Sequence, residues 1–120
     1  MKRFSLRDRI NSFRYAWRGI RSTIWQEHNF RIHLFAALIV ILGGFYFNIS
    51  NTDWSLIVLA ISLVFITELL NTAIEKLVDL KEPNFNPKAG SIKDIAAGAV
   101  LIAAISSAVI GGLVFWPYIR

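Results

Sequence analysis

The sequence predicts an all-α integral membrane protein, with an N-terminal amphipathic helix at the membrane interface and three helices that cross the bilayer. Hydrophobic residues make up 55% of its 120 residues, and the mean hydropathy is +0.51. This composition is too apolar for an ordinary soluble domain. The apolar residues fall in long uncharged runs, and basic residues concentrate ahead of the first run. We therefore expect one membrane domain, residues 1–120.

Residues 4–24 are predicted to form the amphipathic surface helix. Apolar residues recur there at spacings of three and four, as expected for a helix with one buried face: Leu6, Ile10, Phe13, Trp17, Ile20 and Ile24. Eight of the thirteen Lys and Arg lie in the first 33 residues. Such a basic arm beside membrane spans suits anionic lipid headgroups or nucleotide phosphates.

The first two spans are predicted at residues 29–47 and 54–79. The uncharged run 34–47 is too short to cross a bilayer alone, so the first helix must extend backwards to about residue 29. Gly43 and Gly44 would let another helix approach closely. Residues 48–53 form a short connection, so these spans are antiparallel, and Thr52 or Asp53 is expected to cap the second.

The third span is predicted at residues 92–119, after a polar loop at 80–91. Two prolines and two asparagines occur in that loop and would break the preceding helix. The sequence Ser91-Ile-Lys-Asp94 has the capping-box pattern and predicts the helix start. No charge follows from residue 95 to 119. Many small residues in this span would permit close packing against neighbouring helices or other copies.

Orientation follows from the distribution of basic residues. Eight Lys and Arg lie in residues 1–33, four lie in residues 76–93, and none lies in residues 48–53. Cytoplasmic segments carry the excess of positive charge, so the first two regions are expected in the cytoplasm. The connection at 48–53 is then expected on the opposite side.

A polar stripe at the cytoplasmic end of the second span carries the candidate chemistry. Its five residues fall within about a quarter of the helix circumference: Glu68, Asn71, Thr72, Glu75 and Asp79. Glu68 and Glu75 are two turns apart, which is roughly 10 Å along the helix axis. Carboxylates are costly in hydrocarbon, so they normally face protein partners or a wet cavity. The arrangement suits a metal ion or a general base.

The string Glu68-Leu-Leu-Asn71-Thr72-Ala73-Ile74-Glu75-Lys-Leu-Val78-Asp79 resembles the signature of the prokaryotic diacylglycerol kinase family, which includes the undecaprenol kinases. The resemblance extends over nearly the whole chain. It includes Glu27 before the first span and three short segments: Ala16-Trp-Arg18-Gly19, Lys93-Asp94 and Ala97-Gly98-Ala99-Val100.

This resemblance implies a homotrimeric enzyme of the bacterial inner membrane, with its N-terminus and active site in the cytoplasm. It implies transfer of the ATP γ-phosphoryl group to a membrane lipid alcohol, and undecaprenol is favoured over diacylglycerol. By position, Glu68 is the catalytic base, Asn71 is a further catalytic residue, and Glu27 and Glu75 hold Mg²⁺. The remaining nucleotide contacts are expected from Tyr15, Asn84, Phe85, Asn86, Lys93 and Asp94.

Several of these residues also have a structural interpretation. Glu68 could be a protonated residue bonded between helices, and Asn71 could be polar glue between spans. Glu75 could pair with Lys76 or Lys81. Further alternatives are a salt bridge for Glu27, a surface charge for Asp79, a capping partner of Ser91 for Asp94, and a simple turn for 84–86. His28 and His33 are expected at the interface rather than as zinc ligands, because their five-residue offset places them on different faces of the helix.

Two other functions remain open from the residues alone. A non-enzymatic membrane subunit or small transporter could use the Glu68 and Glu75 stripe, with Asp79, for cation or proton binding. That reading requires polar groups in the outer half of the spans, where Ser55 and Ser62 are the main candidates. A nucleic-acid-docking anchor would explain the basic arm but not the carboxylates, so nucleic acid is not an expected partner.

Overall fold

The computed structural model describes residues 3–120, and within them the chain forms four helices and no strand. The helices are α1 (Leu6–Gln26), α2 (His28–Phe47), α3 (Asn51–Lys81) and α4 (Pro87–Ile119). The last three are long and apolar enough to cross a membrane. The predicted fold class, an amphipathic helix followed by three spans, is confirmed.

Helix α1 begins two residues later and ends two residues later than the sequence pattern suggested. Ser5 is its N-cap, and the Ser5 hydroxyl accepts a bond from the backbone N–H of Asp8 at 3.3 Å. The helix ends at Glu27, whose extended backbone separates α1 from α2 by a single residue. Large apolar side chains remain exposed on α1, Phe13 by 78% and Trp17 by 61%. That surface suits a helix lying against lipid.

The connection between α2 and α3 is tighter than expected. Asn48 adopts the left-handed conformation at φ 52°, which asparagine tolerates better than most residues. Ser50, rather than Thr52 or Asp53, caps α3, because its hydroxyl accepts the backbone N–H of Asp53 at 3.1 Å. The prediction of a Thr52 or Asp53 cap was wrong. The Ser50 hydroxyl lies three residues before Asp53 and accepts its N–H, so the helix begins at Asn51.

The loop between α3 and α4 is short, and α4 begins at Pro87 rather than at residue 92. Asn86 is the N-cap, with its side-chain oxygen accepting the backbone N–H of Lys88 at 2.9 Å. Proline at the first helical position already has a helical φ and has no N–H to leave unpaired. These features outweigh the capping-box pattern at Ser91, which lies inside the helix. The interpretation of Asp94 as partner of a Ser91 cap was therefore wrong.

The apolar core lies at the end of the bundle where α2 ends and α3 begins. Its buried residues are Ile49, Ile57 and Val114. The Tyr118 hydroxyl donates to Oδ2 of Asp53 at 2.8 Å and ties α4 to the start of α3. Aromatic rings from α2, α3 and α4 meet at this end, where Phe45 packs on Trp54 and Phe47 packs on Tyr118. The opposite end of the bundle carries the polar side chains.

Close approach of α2 and α3 at the core depends on Gly44. A Cβ atom added there would lie 2.5 Å from Cη2 of Trp54, which is shorter than any ordinary contact. A Cβ atom at the neighbouring Gly43 would lie 3.4 Å from Phe115, within normal contact distance. Packing therefore requires glycine at position 44 but not at position 43, and the predicted close contact between helices is present.

Candidate active site

Two residues of the polar stripe of α3, Glu68 and Thr72, are turned into the protein. Glu68 is 4% exposed and Thr72 is 5% exposed. Nδ2 of Asn71 donates to Oε1 of Glu75 at 3.2 Å, as the four-residue spacing allows. Oδ1 of Asn71 is buried and has no bonding partner within residues 3–120. The stripe thus combines two carboxylates with an acceptor oxygen that the described protein leaves unpaired.

Helix α2 supplies the group that faces Glu68. Nε2 of His33 lies 3.2 Å from Oε1 of Glu68, and the imidazole is one quarter exposed. The two helices are held together nearby by Phe30, which is 3% exposed and stacks on Phe65 with ring centroids 5.2 Å apart. The expected interfacial position of His33 stays a prediction. Packing of α2 on α3 adds a specific contact, because it directs the imidazole to the buried carboxylate.

The bend between α1 and α2 brings Glu27 to the same region of α3. Nζ of Lys76 donates to Oε1 of Gln26 at 2.9 Å. This bond joins the residue before Glu27 to the residue after Glu75. Nη1 of Arg31 donates to the carbonyls of Ile24 and Trp25, at 3.1 and 2.8 Å, where α1 ends. The guanidinium satisfies carbonyl groups that a helix terminus leaves free, and so fixes the bend.

The described residues fit a magnesium ion that arrives with phosphates. Within residues 3–120, three or more His, Asp or Glu side chains nowhere cluster closely enough to hold a metal alone. Mg²⁺ is commonly bound by one or two carboxylates together with substrate phosphates and water. Glu27 and Glu75 are two half-buried carboxylates next to the Gln26–Lys76 bond. They match that type of site better than a closed protein cage.

A cation and an acid from neighbouring helices meet further along the stripe. Nζ of Lys93 contacts Oδ1 of Asp79 and pairs α4 with α3. Asp79 is a surface charge, with its side chain 62% exposed, and Lys93 is its ion-pair partner. Asp94, next to Lys93, is exposed. The pairing holds the lysine at the same end of the bundle as Glu75.

The nucleotide residues expected in the loop and on α1 are less closely gathered. Asn84 is exposed, Phe85 is 94% exposed, and Asn86 is occupied in capping α4. The Tyr15 ring on α1 is 59% exposed and lies 5.5 Å from the guanidinium carbon of Arg18. Its recorded partner is thus a residue of its own helix rather than one of α3 or α4.

Sequence reasoning missed two parts of this site. Gln26 and His33 carry no pattern of their own, because each acquires its partner from α3, which follows much later in the chain. A helical-wheel comparison of α2 with α3 would have raised His33 as a candidate. It is a polar side chain one turn after the buried Phe30.

Comparison with known proteins identifies what this arrangement resembles. The sequence model of the prokaryotic diacylglycerol kinase family matches residues 14–115. A protein of Bacillus subtilis named undecaprenol kinase is 45% identical over 108 residues, which cover 90% of this chain and 88% of the relative.

Two further relatives are named diacylglycerol kinase. The Synechocystis protein is 41% identical, and the match covers 88% of this chain and 61% of that longer relative. The Escherichia coli protein is 29% identical, over 91% of this chain and 89% of the relative. The similarity therefore extends over the surface helix, all three spans and the polar stripe.

Proposed function

The chain belongs to the prokaryotic diacylglycerol kinase family, and from this membership we propose that it phosphorylates the hydroxyl of undecaprenol with ATP. The family makes it an ATP-dependent lipid kinase of a bacterial membrane. We propose undecaprenol rather than diacylglycerol as the substrate. The Bacillus subtilis relative named undecaprenol kinase is 45% identical to this chain, whereas the two relatives named diacylglycerol kinase are 41% and 29% identical. Both lipids present a primary alcohol.

The observation that carries the proposal is the inward-facing Glu68 of the α3 stripe. A carboxylate exposed to acyl chains would be unfavourable by about 2.5 to 3.5 kcal/mol, whereas Glu68 is 4% exposed and faces His33. Glu68 is proposed to remove the proton from the lipid hydroxyl. The lipid oxygen then bonds to the γ-phosphorus, the bond to the bridging oxygen breaks, and ADP leaves. Such base catalysis contributes about 10²- to 10⁴-fold.

Glu27 and Glu75 are the proposed ligands of Mg²⁺. Oε1 of Glu75 is held by Asn71, which leaves the second oxygen free to coordinate. Bound magnesium would neutralise the phosphate charge that develops during transfer. The two carboxylates orient the nucleotide through that charge, while the Gln26–Lys76 bond keeps their segments together.

Lys93, Asp94 and the loop residues Asn84, Phe85 and Asn86 are proposed to contact ATP. The Lys93 ammonium lies at the polar end of the bundle, where it can meet phosphate oxygens. Exchange of its Asp79 partner for a phosphate would conserve a charge-assisted bond. Tyr15 is proposed for the same site with weaker support, because its recorded contact is to Arg18.

The proposed orientation has the N-terminus and the site in the cytoplasm, where ATP is available. The basic residues that precede α2 and flank the α3–α4 loop support it. Assembly as a homotrimer is also proposed. Gly98 and Gly112 on α4 support close approach of another copy, because a Cβ atom at either would meet nothing within 4 Å.

A transporter is less well supported. The cleft of about 260 Å³ between α2, α3 and α4 runs from His33 past Ala60 to Gly111. Among the described residues that line this cleft, the polar side chains are His33 and Ser107, and the Ser107 hydroxyl already donates to the Ala60 carbonyl. The described residues therefore offer no chain of polar groups through the bundle.

The test is phosphoryl transfer by the purified protein in mixed micelles, with Mg²⁺, γ-labelled ATP and either undecaprenol or diacylglycerol. The wild type should label undecaprenol at the higher kcat/KM. Glu68→Gln should lower kcat by about 10²- to 10⁴-fold, and Asp8→Asn, which removes an exposed carboxylate on α1, should not. Absence of labelled lipid with the wild type would refute the function. Equal rates for Glu68→Gln and wild type would refute the assigned base.

A further inference from the structure

His33 has no assigned role in phosphoryl transfer, yet it makes the closest contact to the proposed base. Its Nε2 lies 3.2 Å from Oε1 of Glu68. Within residues 3–120, no other side-chain or backbone group forms a hydrogen bond or ion pair with that carboxylate. Within the described residues, the carboxylate, which is 4% exposed, thus has one polar side chain beside it, the His33 imidazole.

Packed apolar side chains lie on both sides of His33 along α2. Phe30, one turn earlier on α2, is buried and stacks on Phe65 of α3. Beyond His33 the cleft is apolar, with Ala36, Ala37 and Val64 along its walls. The ring consequently lies where the polar stripe meets the apolar cleft. The other side chains beside it in the cleft are hydrocarbon, so among the described residues Glu68 is the polar partner that the ring meets there.

We propose that His33 is a positioning residue for the transfer reaction, in that its Nε2 group holds Oε1 of Glu68 so that Oε2 faces the lipid hydroxyl. The inference rests on the proposed role of Glu68 as the base. Proton abstraction requires an oriented oxygen within hydrogen-bond reach of the hydroxyl, and misplacement by about 1 Å can cost about 100-fold in rate. One carboxylate oxygen is occupied by the imidazole, so the other is left with a defined direction.

Two conservative replacements separate positioning from mere occupancy. The amide nitrogen of glutamine is as many bonds from Cα as Nε2 of histidine, whereas that of asparagine corresponds to Nδ1. His33→Gln should therefore retain most of the rate. His33→Asn and His33→Ala should lower kcat by about 10- to 100-fold, with the KM for ATP unchanged. Ile32→Ala, at the adjacent 61% exposed position of α2, is the matched control and should keep the wild-type rate.

A double-mutant cycle with Glu68→Gln gives the decisive measurement. If His33 acts through Glu68, adding His33→Ala to Glu68→Gln should lower kcat by less than about 2-fold, since the two losses are not additive. Multiplicative losses, equal rates for His33→Gln and His33→Asn, or a wild-type rate in His33→Ala would each overturn the proposal. These outcomes differ from failure of the function itself, which would show as no label transfer by the wild type.

Discussion

For Asn71, a structural role and a catalytic role predict opposite effects of mutation on stability and activity. Its amide nitrogen donates to Glu75, but its carbonyl oxygen is buried without a partner in the described chain. Polar glue between spans would have both atoms satisfied. We therefore expect that the oxygen is reserved for a substrate group, and that Asn71→Leu, of similar volume, loses activity without losing stability.

The expected size of the stability change follows from the two atoms. Loss of the Asn71–Glu75 bond would destabilise the fold by about 0.5 to 1.5 kcal/mol, and removal of a buried unpaired acceptor would stabilise it by about 1 to 3 kcal/mol. The free energy of unfolding should thus range from about 0.5 kcal/mol below that of the wild type to about 2.5 kcal/mol above it. The kcat should fall by at least about 100-fold if the oxygen orients a reacting group.

The measurement is denaturant unfolding in mixed micelles, with lipid-kinase rates from the same preparations. Ser107→Ala is the matched comparison, because its hydroxyl is fully used in a 2.9 Å bond to the Ala60 carbonyl. That variant should lose about 0.6 kcal/mol of stability and keep its rate. The reasoning is refuted if Asn71→Leu is destabilised more than Ser107→Ala, or if it retains the wild-type kcat.

Three further predictions concern the bend, the metal and the packing. Gly44→Ala should destabilise the protein by about 1 to 3 kcal/mol because its Cβ atom meets the Trp54 ring. Gly43→Ala should keep the melting temperature of the wild type. Equal melting temperatures for the two variants would contradict this prediction. Arg31→Ala should free the carbonyls that end α1 and raise the exchange rate of α1 amide hydrogens; unchanged exchange would show that the bend is fixed otherwise. Glu75→Gln should raise the Mg²⁺ concentration needed for half-maximal rate by about 10-fold or more, and an unaltered magnesium dependence would remove Glu75 from the ligand set.

The order and type of the helices could be predicted because they depend on local patterns. Runs of uncharged residues long enough to span a bilayer leave the backbone no alternative to helix. The ends were harder to predict, since several residues compete for each cap. Ser50 precedes Thr52, and Asn86 with Pro87 precedes Ser91. In both cases the earlier residue caps the helix, so the prediction made the α2–α3 and α3–α4 connections too long.

The candidate site was predictable only in its part on α3. Glu68, Asn71 and Glu75 share one helix, so their common direction follows from the helical period. The inward turn of that stripe also follows, because charged groups avoid hydrocarbon. The partners of the stripe depend on which helices meet. His33 faces Glu68, Lys93 faces Asp79 and Gln26 faces Lys76 only after the helices pack.

The residues that stabilise the bundle and the candidate catalytic residues lie at opposite ends of it. At one end, Ile49, Ile57 and Val114 are buried together, and Tyr118 is bonded to Asp53. At the other end, a buried carboxylate has one imidazole partner and a buried amide oxygen has none in the described chain. Unpaired polar groups are unfavourable for folding, so they persist only where packing elsewhere compensates. Such groups are free to bind a substrate hydroxyl or a phosphate, which a fully satisfied network could not do without first breaking its own bonds.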